Sequence, residues 1–200
     1  MTSRIDVQMM RRALALAERG RGHTSPNPPV GAVLARDGQI VGEGWHRRAG
    51  EPHAEIEAMR IAGDHARGAT LYVTLEPCTI EGRTPACAPA VIDAGIARVV
   101  IGTTDPNPRV DGAGAHALRE AGLDVESGVL DLDARRMIEA FAKHVRTGRA
   151  FLTAKTAVTL DGRAAAADGS SQWITGPEAR LDTHRLRAIS QAVVIGAGTA

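Results

Sequence analysis

Apolar positions change period several times along the chain, and each change marks an element. Ile5, Met9, Ala13, Leu16 and Ala17 recur at helical spacing and Gly20 follows, which predicts an amphipathic helix stopped by glycine. Arg11, Arg12 and Arg19 fall off that stripe and belong to a solvated face. Thr24-Ser25-Pro26-Asn27-Pro28-Pro29 carries too many prolines for a helix and reads as an extended loop. Val30–Ala35 and Ile40–Trp45 are apolar-rich runs joined through Asp37-Gly38, a strong hairpin signal. His46 ends the second strand. After a polar loop, Pro52 suits a helix start, and a helix is expected from about His53 to Ala66 with Ala54, Ala58 and Ile61 towards the core. There follow a strand over Ala69–Leu75, a short helix over Ala86–Ala94 and a strand over Arg98–Gly102. A second rigid loop, Asp105-Pro106-Asn107-Pro108, leads to a helix over Ala113–Ala121, a strand over Asp124–Ser127 and a helix over Asp133–Arg146. This alternation predicts an α/β fold with helices on both faces of one sheet.

Arg146-Thr147-Gly148-Arg149 reads as a boundary, so the chain divides into 1–146 and 147–200. Beyond it a strand is expected over Phe151–Thr159, a helix over Pro177–Ala188 and a last strand over Ala192–Ile195. That strand runs into Gly196-Ala197-Gly198-Thr199, where a Rossmann-like unit sets a glycine turn against a phosphate. About fifty residues are too few to close a nucleotide-binding domain of ordinary size, so the second part is expected to be an incomplete domain.

Composition narrows the picture only a little. Of 200 residues, 44% are hydrophobic and 24% charged, as in ordinary globular chains. With two Phe, two Trp and one Tyr, the core must be built from Ala, Val, Leu and Ile. A net charge of +1 gives no argument for nucleic acid or membrane as partner. The sequence has no apolar run of membrane-spanning length and no signal-like N-terminus, so a cytoplasmic location is expected, with the two cysteines serving as thiolate ligands.

The chemistry concentrates in His53-Ala54-Glu55, Pro77-Cys78 and Cys87. This matches the established signature by which zinc-dependent base deaminases hold their metal. One imidazole and two thiolates, from His53, Cys78 and Cys87, make a three-ligand zinc site with the fourth position left for water, whose pKa zinc lowers towards ~7. Glu55 is then free to carry protons between water and a departing amine. Cys87 lies nine positions after Cys78 in place of the three of the general signature, so the residues between them must loop out and return. Asn27 is either a plain turn residue or an amide aimed at a base edge, and Arg83 on the long loop is either solvated or a clamp on a substrate phosphate.

Taken together with Gly42-Glu43-Gly44-Trp45-His46, Gly82-Arg83-Thr84-Pro85, Asp105-Pro106-Asn107-Pro108, Leu160-Asp161-Gly162-Arg163 and Gln172-Trp173-Ile174-Thr175, these motifs resemble the bifunctional riboflavin-biosynthesis deaminase–reductase family, RibD, over nearly the whole chain. The long loop with Gly-Arg-Thr-Pro is specific to that family among the deaminases. The resemblance implies a cytidine-deaminase-like three-layer α/β/α sandwich with a mixed sheet, followed by the start of a dihydrofolate-reductase-like α/β domain. It implies hydrolytic deamination of 2,5-diamino-6-(5-phosphoribosylamino)pyrimidin-4(3H)-one, with zinc on His53, Cys78 and Cys87 and Glu55 as the proton carrier. Asn27, His46 and Arg83 would contact pyrimidine or phosphate, and Asp105 and Asn107 would lie near the ribose or a subunit interface. In the family the C-terminal half reduces the ribosyl group with NADPH. By position Ala157, Trp173 and Thr199 would touch that nucleotide and Ser171 and Arg187 the substrate. A homo-oligomer is the implied assembly.

Two positions depart from the family: Ile80 and Glu81 stand where it carries histidines. That departure motivates an alternative, a diverged deaminase of a related aminopyrimidine nucleotide. A nucleic-acid base deaminase would need a basic groove, of which the charge gives little sign. A structural zinc module would need a fourth protein ligand, and no further Cys is present.

Overall fold

The computed structural model describes residues 2–82 and 84–199, the side chain of Thr199 excepted. Contacts divide it into residues 1–151 and 152–200.

The first helix, α1 (Arg4–Glu18), begins at Ser3, whose hydroxyl accepts the Asp6 N–H while the Asp6 carboxylate accepts the Ser3 N–H. Such a capping box satisfies two otherwise orphaned donors. Its buried stripe is Asp6, Met9, Met10, Ala13, Leu16 and Ala17. Ile5, expected on that stripe, is 49% exposed. Asp6 takes the inward place because Arg98 and the Tyr72 hydroxyl meet its carboxylate there, at 2.7 and 3.0 Å.

Strands β1 (Gly31–Arg36) and β2 (Gln39–Trp45) form the expected hairpin, Arg36 facing Gln39 across Asp37 and Gly38. Both turn residues have positive φ, 52° and 77°, as the tight hairpin turn requires. Strands β3 (Thr70–Leu75), β4 (Arg98–Thr103) and β5 (Asp124–Ser127) complete one sheet of order β2-β1-β3-β4-β5. β2–β1 and β1–β3 are antiparallel, β3–β4 and β4–β5 parallel, so the sheet is mixed.

Alternate residues of the strands feed two cores. Val33, Ala35, Tyr72 and Val100 pack against Met9, Met10, Ala13 and Leu16 of α1. Ala32, Leu34, Leu71, Val73, Val99 and Ile101 face the other way, onto α2 (Ala54–Ala62), α3 (Cys87–Asp93) and α4 (Ala113–Glu120). This is the expected three-layer α/β/α sandwich. The helices lie close because facing residues are small: a Cβ on Gly31 would fall 2.0 Å from the Ala13 carbonyl oxygen, and one on Gly44 2.3 Å from that of Ala54.

Three details differ from the sequence reading. The buried stripe of α2 is Ala54, Ala58 and Ala62, so Ile61, a quarter-turn away, is 54% exposed. α2 ends at Ala62 and a 3-10 turn covers Gly63–Ala66. The single helix expected over Asp133–Arg146 is two, α5 (Asp131–Met137) and α6 (Glu139–Thr147), broken at Ile138, whose φ of −109° and ψ of 14° leave the helical region.

In residues 152–200, α7 (Pro177–Ala188) is present with proline in its first turn. The strands expected over 151–159 and 192–195 are not formed: among the described residues neither run pairs with another strand. An apolar run becomes a strand only when its backbone groups find a ladder, and here Leu152 and Val194 stand 86% and 92% exposed. No helix among the described residues is long and apolar enough to cross a membrane.

Candidate metal centre and pocket

The site forms where β3 and β4 end and α2 and α3 begin. His53 is the N-cap residue of α2 in extended conformation, and its side chain makes no capping bond. The imidazole is therefore free to turn off the helix end. Its Nδ1 lies 3.0 Å from Cys87 Sγ and 3.6 Å from Cys78 Sγ. Cys78 is the third residue beyond β3, after Glu76-Pro77, and Cys87 opens α3 with its N–H 3.4 Å from Cys78 Sγ. The ligand atoms of His53, Cys78 and Cys87 all fall within 4.8 Å of one another, and the two thiols are free.

The electrostatics suit a cation. The Cys87 thiol, against burial that works the other way, and then the His53 imidazole and Cys87 N–H pull the Cys78 thiol down to about 4. Cys87 moves up, because Cys78 is beside it and it is buried. Glu55, in the first turn of α2, is 3% exposed, and burial pushes its carboxyl up in spite of His53 nearby. Its Oε2 is the one buried side-chain polar atom without a hydrogen-bond partner among the described residues. One imidazole, two soft sulfurs and an orphaned carboxylate oxygen fit a zinc ion with an open position: the donor set is right and the unpartnered oxygen has something to serve.

Around the donors lies a cavity of about 310 Å³, lined by Asn27, His46, His53, Glu55, Cys78, Thr84, Asp105 and Asn107 among others. His46 is buried, which lowers its basicity against the pull of the Pro52 carbonyl. Its Nδ1–H donates to that carbonyl at 3.1 Å, so Nε2 is left to accept the Asn27 side-chain N–H at 3.0 Å. This relay orients Asn27 and leaves its carbonyl oxygen for a ligand. Asp105 and Asn107 brace their own loop first: Asp105 Oδ1 accepts the Asn107 N–H at 2.8 Å and Asn107 Oδ1 the Arg109 N–H at 3.1 Å. Burial pushes Asp105 up to about 6, against the pull of the Asn107 N–H.

Arg83 lies outside the described residues, as does the side chain of Thr199. Ala157, Ser171, Trp173 and Arg187 belong to the second unit, Ala157 half-buried and the others exposed. The Arg180 guanidinium lies 4.4 Å from the centre of the Trp173 ring.

Four residues escaped the sequence reading. Glu76 is buried and accepts three backbone N–H groups, from Asp105, Gly112 and Ala115, each at 3.0 Å, which ties the Asp105 loop and the start of α4 to the end of β3. Thr84 meets His53, and Arg109 and Phe141 line the cavity. Glu76, in the Glu-Pro-Cys step, and Thr84, in the Gly-Arg-Thr-Pro run, stand inside sequence motifs, but neither motif shows what the side chain does.

Fold and site together define a zinc-binding deaminase domain of the cytidine-deaminase class. Residues 3–103 match the family model of the cytidine and deoxycytidylate deaminase zinc-binding region, and residues 150–200 that of the RibD C-terminal domain. Within that class the chain is similar to the RibD family over nearly its whole length. The riboflavin biosynthesis protein RibD of Escherichia coli K12 is 53% identical over 194 residues, 97% of this chain and 53% of the relative. A solved structure of RibD from Acinetobacter baumannii superposes with a TM-score of 0.84 at 48% identity, covering 93% of this chain and 52% of that one. The structure of the diaminohydroxyphosphoribosylaminopyrimidine deaminase/5-amino-6-(5-phosphoribosylamino)uracil reductase from Thermotoga maritima does so with a TM-score of 0.90 at 46% identity, covering 98% and 56%. The chain spans about half the length of the curated relatives it matches.

Proposed function

We propose that the deaminase domain, residues 1–146, hydrolyses the amino group of 2,5-diamino-6-(5-phosphoribosylamino)pyrimidin-4(3H)-one, releasing ammonia in riboflavin biosynthesis. The observation that carries this is the meeting of three ligand atoms within 4.8 Å beside the unpartnered Glu55 oxygen, at a cavity large enough for a base. His53, Cys78 and Cys87 would hold the zinc. When bound there, zinc supplies the Lewis acidity that makes hydrolytic attack available at neutral pH.

The rest is the work of the chain. Glu55 Oε2 takes a proton from the attacking water and returns it to the departing nitrogen, so that water and aminopyrimidine become the oxo-pyrimidine and ammonia. Asn27, held by His46, presents its carbonyl oxygen to the donors of the base. Asp105 and Asn107 hold the loop at the ribose end. For the phosphate, Arg109 is the one Lys or Arg lining the cavity among the described residues, and Arg83 would join it from the long loop.

Residues 147–200 would begin a reductase domain in which Ala157, Trp173 and Thr199 serve NADPH and Ser171 and Arg187 the substrate. The protein is read as a cytoplasmic homo-oligomer without nucleic-acid or membrane partners. A second reading, a diverged deaminase of a related aminopyrimidine nucleotide, is favoured by Ile80, which lines the cavity where the family has histidine.

Ammonia release from a panel of aminopyrimidine ribosides and their 5′-phosphates separates these readings. Zinc-dependent turnover of the diaminopyrimidine phosphate is expected. Preference for another aminopyrimidine nucleotide would favour the second reading, and turnover only of bases in RNA or DNA would overturn both.

A further inference from the structure

His53 has two ring nitrogens, and the structure gives each its own neighbour. Nδ1 faces the two sulfurs, while Nε2 lies 3.1 Å from the hydroxyl oxygen of Thr84. A neutral imidazole that offers the Nδ1 lone pair to a metal carries its proton on Nε2, and that N–H, half-buried here, needs an acceptor. Thr84 supplies one.

Thr84 is well held for this. It precedes Pro85, which confines its backbone to extended conformations. Its carbonyl accepts the Gly82 N–H at 3.1 Å, and the base of the loop is closed by Ala88 N–H on the Cys78 carbonyl at 3.1 Å. The long spacing between the cysteines therefore leaves room for a hydroxyl, that of Thr84, to meet the ligand imidazole. A Cys-x-x-Cys spacing has only two residues between its sulfurs and no room for such an excursion.

We infer that Thr84 is a positioning residue: its hydroxyl accepts the Nε2–H of His53, fixes the tautomer and ring orientation, and so sets the zinc affinity of the His53–Cys78–Cys87 site. The inference rests on the zinc reading of that site. Partners of this kind are worth about 10–100-fold in metal affinity when removed.

The test compares Thr84→Val, which keeps the shape and loses the acceptor, with Thr84→Ser, which keeps the acceptor. Both are made in the full chain, with folding checked by circular dichroism and zinc affinity measured by competition with a chromophoric chelator. Thr84→Val is expected to weaken zinc binding about 10–100-fold, with Thr84→Ser close to the unaltered chain. Equal affinity in a folded Thr84→Val overturns the inference while leaving the zinc site standing. An unaltered chain that binds no zinc overturns the site itself. If Thr84→Val does not fold, ¹⁵N NMR of the zinc-loaded unaltered chain decides: His53 protonated on Nε2 and metal-bound through Nδ1 supports the inference, and the opposite tautomer ends it.

Discussion

Glu55 is the residue whose environment makes least sense without chemistry. A buried carboxylate oxygen that no hydrogen bond satisfies is costly, and Oε2 of Glu55 is one. Glu55→Gln is therefore expected to fold and keep its zinc, by metal analysis, while ammonia release falls about 10²–10⁴-fold. Arg109 invites a different experiment, because its guanidinium has no carboxylate partner among the described residues and its backbone is pinned by Asn107. Arg109→Gln is expected to raise KM for the phosphorylated substrate about tenfold, ~1.4 kcal/mol, and to leave KM for the unphosphorylated riboside and both kcat values nearly unchanged. At this scale the sequence was informative where function needs a fixed spacing. His-x-Glu and Pro-Cys announce themselves, and the donors they predict do converge. Glu76, Thr84 and Arg109 could not be found that way. Glu76 works through N–H groups 29 to 39 positions downstream, and Thr84 through an imidazole 31 positions upstream, distances over which no local pattern exists.

Elements are held together here by close approach and by one buried charge cluster. α1 rests on β1 through Gly31, with no space for a methyl group against the Ala13 carbonyl. Gly31→Ala is expected to push the helix away from the sheet and destabilise the domain by about 1–3 kcal/mol, read as a lowered midpoint in urea. The Asp6 cluster ties α1 to β3 and β4: Arg98 meets Asp6, Asp124 and Glu126, and the Tyr72 hydroxyl donates to Asp6. Burial by itself would raise the Asp6 carboxyl. Arg98, the Ser3 N–H and hydroxyl and the Tyr72 hydroxyl outweigh it and hold the carboxyl far below the usual range, while Tyr72 is pushed up to about 12 by burial and by Asp6. A depressed carboxyl stabilises the fold fully above its unfolded pKa of about 3.9 and loses that contribution as pH falls from there through the folded value. Asp6→Asn should therefore cost about 3 kcal/mol at neutral pH, the low end for a broken buried pair since Arg98 keeps two other carboxylates. It should also flatten the fall in melting temperature below about pH 4. The periodicity of α1 was legible but its phase was not: Ile5, read as core, is exposed, and Asp6 beside it, left off the stripe, is buried, because the partners that make Asp6 burial tolerable lie on other strands.

At the scale of the whole molecule, the two units differ in what their backbones are bonded to. In residues 1–151 the five strands form one ladder with helices on both faces, and that architecture followed from the alternation of periods because each apolar run there finds a partner. In residues 152–200 equally apolar runs found none, so the same reasoning gave strands at 151–159 and 192–195 that are not formed. A pattern of side chains specifies a face to bury, and only a neighbouring strand turns it into a sheet. Amide hydrogen exchange read by mass spectrometry turns this into a measurement. Peptides covering β1, β3 and β4 are expected to exchange slowest, since opening them means unfolding the domain, whereas 151–159 and 192–195 should exchange within the shortest labelling time. Stripping zinc with a chelator removes a ligand that binds only the folded site, a stabilisation of about 2.7 kcal/mol at a hundredfold excess over Kd. Exchange should then accelerate first in 53–58 and 78–88, the segments that carry the three converging candidate ligands. Slow exchange across 192–195 would mean that this run pairs in solution, and an unchanged 78–88 on chelation would mean that zinc does not organise the loop.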